Sequence, residues 1–561
     1  MDIADHAYHG NSLTTFESDA TTVGAHAFEG CTQLTTVHLP NATTIGADAF
    51  KGCTALATVI LPNVTRVGLR AFQQCHALHT VQVPRLKHIP QHTFSHTQLT
   101  TFTGDATSVD YCAFEDCTAL TTVSLPQCTV VGPHAFDRCN ALTSVHVPHV
   151  KRIHKSAFSQ TALTTFACDA TTVDENAFRG CTRLTRVSLP LVTILRDNTF
   201  YNCSALATVH LPNATTIGAY AFQGCTTLDT VDLTAVTHIG IRAFYGCRAL
   251  TAVESNADVD DQAFGMCTQL ATVRLPQLTH VAYGTFQQCT QLAQVHLPNV
   301  THIGVSAFLR SGLTSIACDN VVNIGRHAFE FTPLQSIALP KVTRIPKGAF
   351  RYCEHLHTLR APETKTVKSN ACTRTALREV HLPNVILVRS SAFAMCYQLT
   401  RVDMPLVKEI GAGAFRNCVA LHTVHIVQLR RLHHSAFLRC PLRKLVVPYL
   451  EFFGGFALPK CPVVVPAGLR MQHPQLKRIT PQQLTAYHTL VRWAARLRDG
   501  ARLAPLVERM AAGERRDALD VVMGERRLEQ HEVRRLLSVL TMPLAELMLP
   551  TLLQRLRERR L

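Results

Sequence analysis

The chain has 561 residues, and its 47% of hydrophobic and 17% of charged residues exclude a largely disordered protein. The formal net charge of +16 is uneven, because residues 462–561 hold 18 Lys and Arg against 10 Asp and Glu and so contribute half of the excess. Arg and Glu are interspersed in that part of the chain, which favours a solvated helical face over a nucleic-acid-binding surface.

Neither end of the chain shows a membrane or export signal. Residues Met1 to His6 have no positively charged segment followed by an apolar run, as a secretory signal would. The longest apolar stretch, 536–553, is interrupted by Pro543, Glu546 and Pro550. We therefore expect a cytoplasmic or otherwise intracellular protein without a transmembrane segment.

One unit of 20 to 22 residues repeats along the chain. Residues 34–56 show it as Leu-x-x-Val-x-Leu-Pro-x-x-x-x-Ile-Gly-x-x-Ala-Phe-x-x-Cys-x-x-Leu. Such a period is typical of a solenoid, in which each unit buries its apolar face only against its neighbours. One gap of 43 residues occurs, where Cys372 stands in for Phe. The Phe recurs at Phe28, Phe50, Phe72, Phe94, Phe114, Phe136, Phe158, Phe178, Phe200, Phe222, Phe244, Phe264, Phe286, Phe308, Phe329, Phe350, Phe393, Phe415 and Phe437.

Within a unit, the pattern predicts a strand, a turn and a short turn of helix. Val59 and Leu61 alternate with Thr58 and Ile60, so one pair faces the core and the other faces solvent. Pro62 ends the strand because it has no amide proton to donate. The Ala-Phe-x-x-Cys-x-x-Leu segment has helical spacing. About 21 such rungs predict an α/β solenoid, a superhelix with one long parallel β-sheet.

Most of the 21 cysteines belong to the repeat and lie three residues after the Phe. Stacked rungs give these side chains parallel Cβ vectors, which do not suit disulfides. Thr97, Thr161, Ser311, Thr332 and Thr375 occupy the same slot, as expected of a small packing position. We therefore expect reduced, buried thiols.

The order of residues from Leu34 to Cys53 and from Leu206 to Cys225 resembles the BspA-like class of leucine-rich repeats of bacterial and protist surface proteins. The resemblance covers about residues 3–466. It implies binding of proteins or matrix, adhesion or recognition, with the cell surface as the alternative location. Common leucine-rich repeats carry Asn or Cys three residues after the last strand Leu. Here Ala42 and Val64 take that position, so we expect packing and backbone bonds to hold the turns.

The pattern divides the chain into a repeat solenoid, 1–466, and a helical capping or interaction domain, 467–561. Thr480-Pro481-Gln482-Gln483 reads as a capping box with Pro at the first helical position, and helical spacing follows. We expect a small all-α bundle there. At the other end, the first rung begins without a cap, so association through it is a further expectation.

The outer sheet face is the candidate binding surface, because its positions are exposed and polar. The histidines on it lie two to five rungs apart, too far apart for one zinc ion. The cluster of His422, His425, His433 and His434 is better explained as solvated side chains. The candidate contact residues are Thr36, His38, Thr58, Gln82, His146, His210, Asp232, Arg274, His296, Arg360, His381, Asp403 and His425.

No nucleophile elbow, P-loop or dinucleotide fingerprint occurs. The last cysteine, Cys461, precedes the predicted bundle, so a thioester mechanism there lacks its nucleophile. We expect no catalytic residues, metal or cofactor. The leading hypothesis is a non-enzymatic scaffold that recognises protein ligands. The alternatives are a cell-surface adhesin-like protein and an effector or nucleic-acid-binding helical module carried by the repeats.

Overall fold

The computed structural model describes residues 2–443, 445–447, 449–455 and 463–464. They form a parallel β-solenoid of about 20 turns of the leucine-rich-repeat kind. The chain divides into a first unit, Met1–Pro340 with Cys353–His355, and a second unit, Lys341–Tyr352 with the residues from Leu356 on. The all-α bundle expected at 467–561 lies outside the described residues.

Most rungs of the first unit contribute a longer and a shorter strand, and strands of each kind stack on one another. The strands of the long-strand ladder are Thr15–Glu17, Thr36–His38, Thr58–Ile60, Thr80–Gln82, Thr101–Thr103, Thr122–Ser124, Ser144–His146, Thr165–Ala167, Arg186–Ser188, Thr208–His210, Ala252–Glu254, Thr272–Arg274, Gln294–His296 and Ser336–Ala338. Those of the short-strand ladder are Asp2–Ile3, Thr22–Val23, Thr44–Ile45, Arg66–Val67, His88–Ile89, Ser108–Val109, Val130–Val131, Arg152–Ile153, Thr172–Val173, Ile194–Leu195, Thr216–Ile217, His238–Ile239, Asp258–Val259, His280–Val281, His302–Ile303 and Asn323–Ile324.

The second unit repeats this arrangement. Its longer strands are Thr358–Arg360, Glu379–His381, Arg401–Asp403 and Thr423–His425, followed by the pair Leu445–Val446 and Val463–Val464. Its shorter strands are Arg344–Ile345, Thr366–Val367, Leu387–Val388, Glu409–Ile410, Arg431–Leu432 and Phe452–Phe453.

Neighbouring strands within a ladder are parallel and in register, as where Val37 lies opposite Val59. The predicted inside-outside alternation is confirmed, since Val59 and Leu61 are fully buried while Ile60 is 38% exposed. The single long sheet expected from the sequence is wrong, because the described strands form two kinds of ladder, each broken into several sheets. The chain bends after each Leu-Pro pair, so it pairs with its neighbours twice per rung.

The Ala-Phe segment forms a turn, and the helical turn expected there is wrong. Two residues in each segment have a left-handed backbone: in one rung these are Arg70, with φ of 55°, and Gln74, with φ of 61°. A right-handed helix excludes such angles. The amides instead donate to the next rung, as from Phe50 N to Ala71 O at 2.8 Å. The spacing of Ala, Phe and Cys resembles that of a helix because two tight turns in succession bring the Phe and Cys side chains back to the core.

The core is a column of stacked phenylalanines beside a column of thiols. Phe28, Phe50 and Phe72 are fully buried, with ring centroids 5.0 and 5.3 Å apart. The Cys53 thiol donates a hydrogen bond to the Phe28 carbonyl of the preceding rung at 3.0 Å. The 20 described cysteines are free and buried, which confirms the sequence prediction. Thiol-to-carbonyl hydrogen bonds of this kind link neighbouring rungs.

Glycine after the short strand allows neighbouring rungs to approach closely. A Cβ added to Gly46 would lie 2.6 Å from the nitrogen of Ala25 on the preceding rung. No rearrangement short of moving backbone would relieve that overlap. The recurrent Ile-Gly pair therefore marks a close backbone contact between rungs.

Candidate functional site

Twelve of the predicted contact residues lie on long strands, on the face opposite the core. In the first unit these are Thr36, His38, Thr58, Gln82, His146, His210, Arg274 and His296, and in the second unit Arg360, His381, Asp403 and His425. Their side chains are exposed or half-exposed because the middle residue of each strand takes the core position.

Asp232 is the exception among these residues. The structure assigns no strand to residues 230–232. The Asp232 carboxylate instead accepts hydrogen bonds from the Thr234 backbone N–H at 3.0 Å and from its hydroxyl at 2.7 Å. These bonds hold the pKa of Asp232 below its ordinary value. Asp232 is exposed, but its carboxylate stabilises a local turn and does not sit on a strand as the sequence pattern predicts.

The last residue of each long strand varies from rung to rung, while the middle residue hardly does. In the first sheet, consecutive rungs place Glu17, His38, Ile60 and Gln82 in register. The core positions beside them are Phe, Val, Val and Val. The repeat thus keeps its interior nearly constant and changes its exterior, so the chemistry of the face varies along the ladder.

Charged groups on the face of the first unit are mostly solvated. Glu254, Arg274 and His296 lie in register on three consecutive long strands. The Glu254 Oε1 and Arg274 Nε atoms are 3.6 Å apart, but both side chains are more than half exposed. Such a pair contributes little to stability. These charged groups are therefore accessible to a ligand.

The face of the second unit carries a carboxylate held between two imidazoles. His381, Asp403 and His425 are in register on three consecutive long strands. The Nδ1 atoms of His381 and His425 lie 2.7 Å from opposite oxygens of Asp403. Partial burial acts to raise the pKa of Asp403, but the hydrogen bonds from His425 and His381 outweigh it and lower that pKa. The imidazoles are 69% and 54% exposed, so each is accessible to a ligand.

Two histidines of the cluster noted in the sequence, His425 and His433, contact different carboxylates. His433 Nε2 lies 3.1 Å from Glu409 Oε1, a residue of a short strand, whereas His425 faces Asp403 on the long strands. Neither residue belongs to a potential metal-ligand group among the described residues.

Two groups of potential metal ligands lie on the turns around the Phe column. One consists of His92, Cys112 and Glu115, and the other of His26, Glu29 and Asp48. In each group the ligand atoms lie within 4.8 Å of one another. The sequence pattern does not point to them, because their members come from adjacent rungs. The spacing of 20 to 22 residues between stacked positions is the signal that could have found them.

The sequence model of the BspA type leucine rich repeat region matches residues 1–120, 107–229, 215–332 and 322–444. The chain belongs to this family. The match covers the rungs described above and confirms the resemblance inferred from the repeat pattern. No curated protein matches the BspA-type chain.

Solved structures similar to this BspA-type protein come from several bacteria. A leucine rich cell surface protein from Faecalibacterium prausnitzii is 21% identical, covers 74% of this chain and 88% of its own, and has a TM-score of 0.26. A leucine-rich repeat protein from Bacteroides ovatus is 20% identical, covers 72% and 82%, and has a TM-score of 0.24. Among the described residues, no helix has the length and hydrophobicity needed to cross a membrane.

Proposed function

We propose that this BspA-type chain is a non-enzymatic recognition scaffold that binds protein ligands through the outer face of its long-strand ladders. The observation that carries the proposal is the contrast between a constant interior and a varied exterior on the same strands. Stacked repeats require the Phe, Cys and Val columns for packing, but packing places no demand on the last residue of a long strand. Its variation is therefore free to serve recognition.

The chemistry of the face favours a polar protein ligand. The last residues of the long strands include imidazoles, carboxylates, guanidinium groups and amides, with Ile60 as a rare large apolar side chain. Charges of both signs occur on the face, as at Glu254 and Arg274. A pattern of mixed charge selects a partner by matching individual groups, since like charges placed opposite each other repel.

Site-specific photo-cross-linking tests the face directly. A photoreactive benzoyl-phenylalanine replaces Gln82 or His210 on long strands, and Arg66 or Arg152 on exposed positions of short strands as controls. Irradiation in an extract of the source cells should yield a defined protein adduct from the first two positions only. Equal adducts from the control positions would contradict the proposal.

Charge reversal then measures the contribution of individual side chains. Arg274→Glu and Arg360→Glu should weaken binding of the purified cross-linked partner at least tenfold. The matched controls Arg66→Glu and Arg431→Glu change the same charge on exposed short-strand positions and should leave the affinity unchanged. If all four variants bind alike, the long-strand face is not the contact surface.

Cell-surface adhesion is the second candidate, because the repeat resembles that of surface proteins. Cell fractionation combined with mass spectrometry separates the two: an exported chain should carry glycans, whereas an intracellular one should not. The expected intracellular location, the boundary at residue 466 and association through the first rung stay predictions. The effector or nucleic-acid-binding role of the helical module also stays a prediction, since it falls outside the described residues.

A further inference from the structure

His92, Cys112 and Glu115 lie together where two adjacent rungs turn. One ring nitrogen of His92, Sγ of Cys112 and a carboxylate oxygen of Glu115 are all within 4.8 Å of one another. We propose that these three side chains bind a thiophilic divalent cation of the zinc type. The site lies on the turns that flank the Phe column, away from the long-strand face, and is independent of the recognition function proposed above.

The backbone places these side chains. His92 and Cys112 occupy the same position in successive rungs, two residues before Phe94 and Phe114, and each has a left-handed φ of 52°. The His92 amide donates to the Tyr111 carbonyl at 3.0 Å, which fixes the register of the two rungs. Equivalent positions on stacked rungs point the same way. The stacking of the two rungs therefore makes the His92 imidazole and the Cys112 thiol neighbours.

Glu115 completes the group from within the second rung. Its amide donates to the Cys112 carbonyl at 3.2 Å, so a tight turn brings the carboxylate back towards the thiol. Cys112 is only 2% exposed. The Glu115 side chain is 17% exposed, which leaves the site open on one side. Three protein ligands and one open position match a zinc centre that keeps a fourth place for water or a ligand.

The ligand atoms need only a small adjustment to bind zinc. Bonds of about 2.0–2.3 Å in a tetrahedral arrangement place the ligand atoms about 3.4–3.6 Å from one another. The present separations, all within 4.8 Å, have to shorten by about 1.2–1.4 Å at most, and rotation about the side-chain bonds of His92 and Glu115 would provide such a movement. A thiolate and an imidazole select zinc or cobalt over magnesium or calcium, which prefer oxygen ligands.

Unpaired polar atoms mark the same place. The Nδ1 of His92 is buried and has no hydrogen-bond partner within the part of the chain that the structure describes. The Oδ1 of Asp137, on the following rung, is buried and unpaired among the same residues. Asp137 lies close enough for its charge to act on the Cys112 thiol. Buried polar atoms are normally satisfied, so the unpaired His92 nitrogen points to a missing partner.

The charges around the site favour a cation. The carboxylates of Glu115 and Asp137 lie close enough to act on the Cys112 thiol. Arg138 Nη2 lies 2.9 Å from Glu115 Oε1 and 3.0 Å from Asp116 Oδ2, so it shares its charge between these two carboxylates. A divalent cation would compete with Arg138 for Glu115 only, because Asp116 can retain the guanidinium.

The second group of potential ligands provides a contrast. Lys51 Nζ lies 3.2 Å from Glu29 Oε1 and 3.5 Å from Asp48 Oδ1, and Arg70 Nε lies 3.1 Å from Asp48 Oδ1. These cations already neutralise both carboxylates, and the group contains no sulfur. His26 of this group is therefore a control position, where loss of the imidazole should not affect binding of a thiophilic metal.

Metal titration of the full chain tests the site. The chelator-treated protein is titrated with Zn²⁺ in competition with a chromophoric chelator, and with Co²⁺ to detect the sulfur-to-cobalt charge-transfer absorption. Wild-type protein should bind one equivalent with this absorption. Cys112→Ser should abolish the absorption, and His92→Ala should weaken zinc binding at least tenfold. His26→Ala and Cys128→Ser, which removes another buried thiol outside the Phe-linked column, should behave as wild type.

A second measurement keeps the test independent of the variants' folding. X-ray absorption at the zinc edge of wild-type protein loaded with one equivalent of Zn²⁺ reports the atoms that bind the metal. It should show one sulfur at about 2.3 Å and nitrogen or oxygen neighbours at about 2.0–2.2 Å. Absence of a bound equivalent, a sulfur-to-cobalt absorption that persists in Cys112→Ser, or a zinc shell without sulfur would each overturn the proposal.

Discussion

Removing one ring from the phenylalanine column should destabilise the solenoid locally. Phe222 is fully buried, and its ring stacks on Phe200 and Phe244 with centroids 5.5 and 5.2 Å away. Phe222→Ala removes apolar burial and leaves a cavity between two rings that the rungs hold in place. Core replacements of this kind cost about 3–5 kcal/mol of unfolding free energy. Loss of two stacking contacts places the value near the upper end of that range.

The effect should be confined to the neighbouring rungs, because each rung contacts only its neighbours. The Phe222 amide donates to the Ala243 carbonyl at 2.7 Å, and the Phe200 amide donates to the Ala221 carbonyl at 2.8 Å. At about 1.4 kcal/mol for each tenfold change, a loss of 4 kcal/mol should speed hydrogen exchange at these amides about a thousandfold. Exchange in the rung of Phe50 should stay unchanged.

Hydrogen exchange measured by mass spectrometry on the full chain is the assay. Phe331→Ala is the matched control, because Phe331 is 42% exposed and one of its contacts is the Arg310 guanidinium, 5.2 Å from the ring centroid. Loss of that contact costs about 1 kcal/mol at most. Unchanged exchange around Phe222, or an equal loss of protection in the control, would refute the view that the stacked rings support each rung.

Three further outcomes are expected. Burial raises the pKa of Cys53 to about 12, so a bulky thiol reagent at about pH 8 should label Cys53 only after unfolding in urea; labelling of the native protein would contradict the buried thiol column. Asp403→Asn should lower the unfolding free energy of the second unit by less than about 1 kcal/mol at neutral pH. This difference should vanish as the pH falls through the lowered pKa of Asp403, since protonation removes the attraction for both imidazoles; urea unfolding from neutral pH to about pH 3 measures it. Gly46→Ala should cost about 1–3 kcal/mol in thermal unfolding because its Cβ would lie 2.6 Å from the Ala25 nitrogen, whereas Gly104→Ala, with its nearest neighbour 3.8 Å away, should be almost neutral.

The repeat period alone predicted much of the fold. A residue such as Phe222, repeated every 20 to 22 positions, has to contact its own equivalents, and the alternation at Val59 and Ile60 separates core from surface. Both are confirmed in the structure. These features follow from periodicity, because identical units that stack must place identical positions on top of one another.

The turns were harder to predict from the residue pattern. The spacing from Ala71 to Cys75 is equally compatible with a helical turn and with two tight turns. The left-handed backbone at Arg70 and Gln74 decides between them. Neither arginine nor glutamine favours a left-handed backbone, so the conformational preferences of these residues did not predict the two turns. The hydrogen bonds to the next rung and the buried Phe outweigh that preference.

The sequence by itself determined the solenoid, its thiol and phenylalanine columns and the polar face that we propose for recognition. Only the tertiary structure decided that His381, Asp403 and His425 meet across three rungs and that His92 meets Cys112 and Glu115. The physical reason is register. Stacking is encoded in every repeat, but which variable side chains become neighbours depends on the alignment of rungs of unequal length, and that alignment is set by hydrogen bonds between turns.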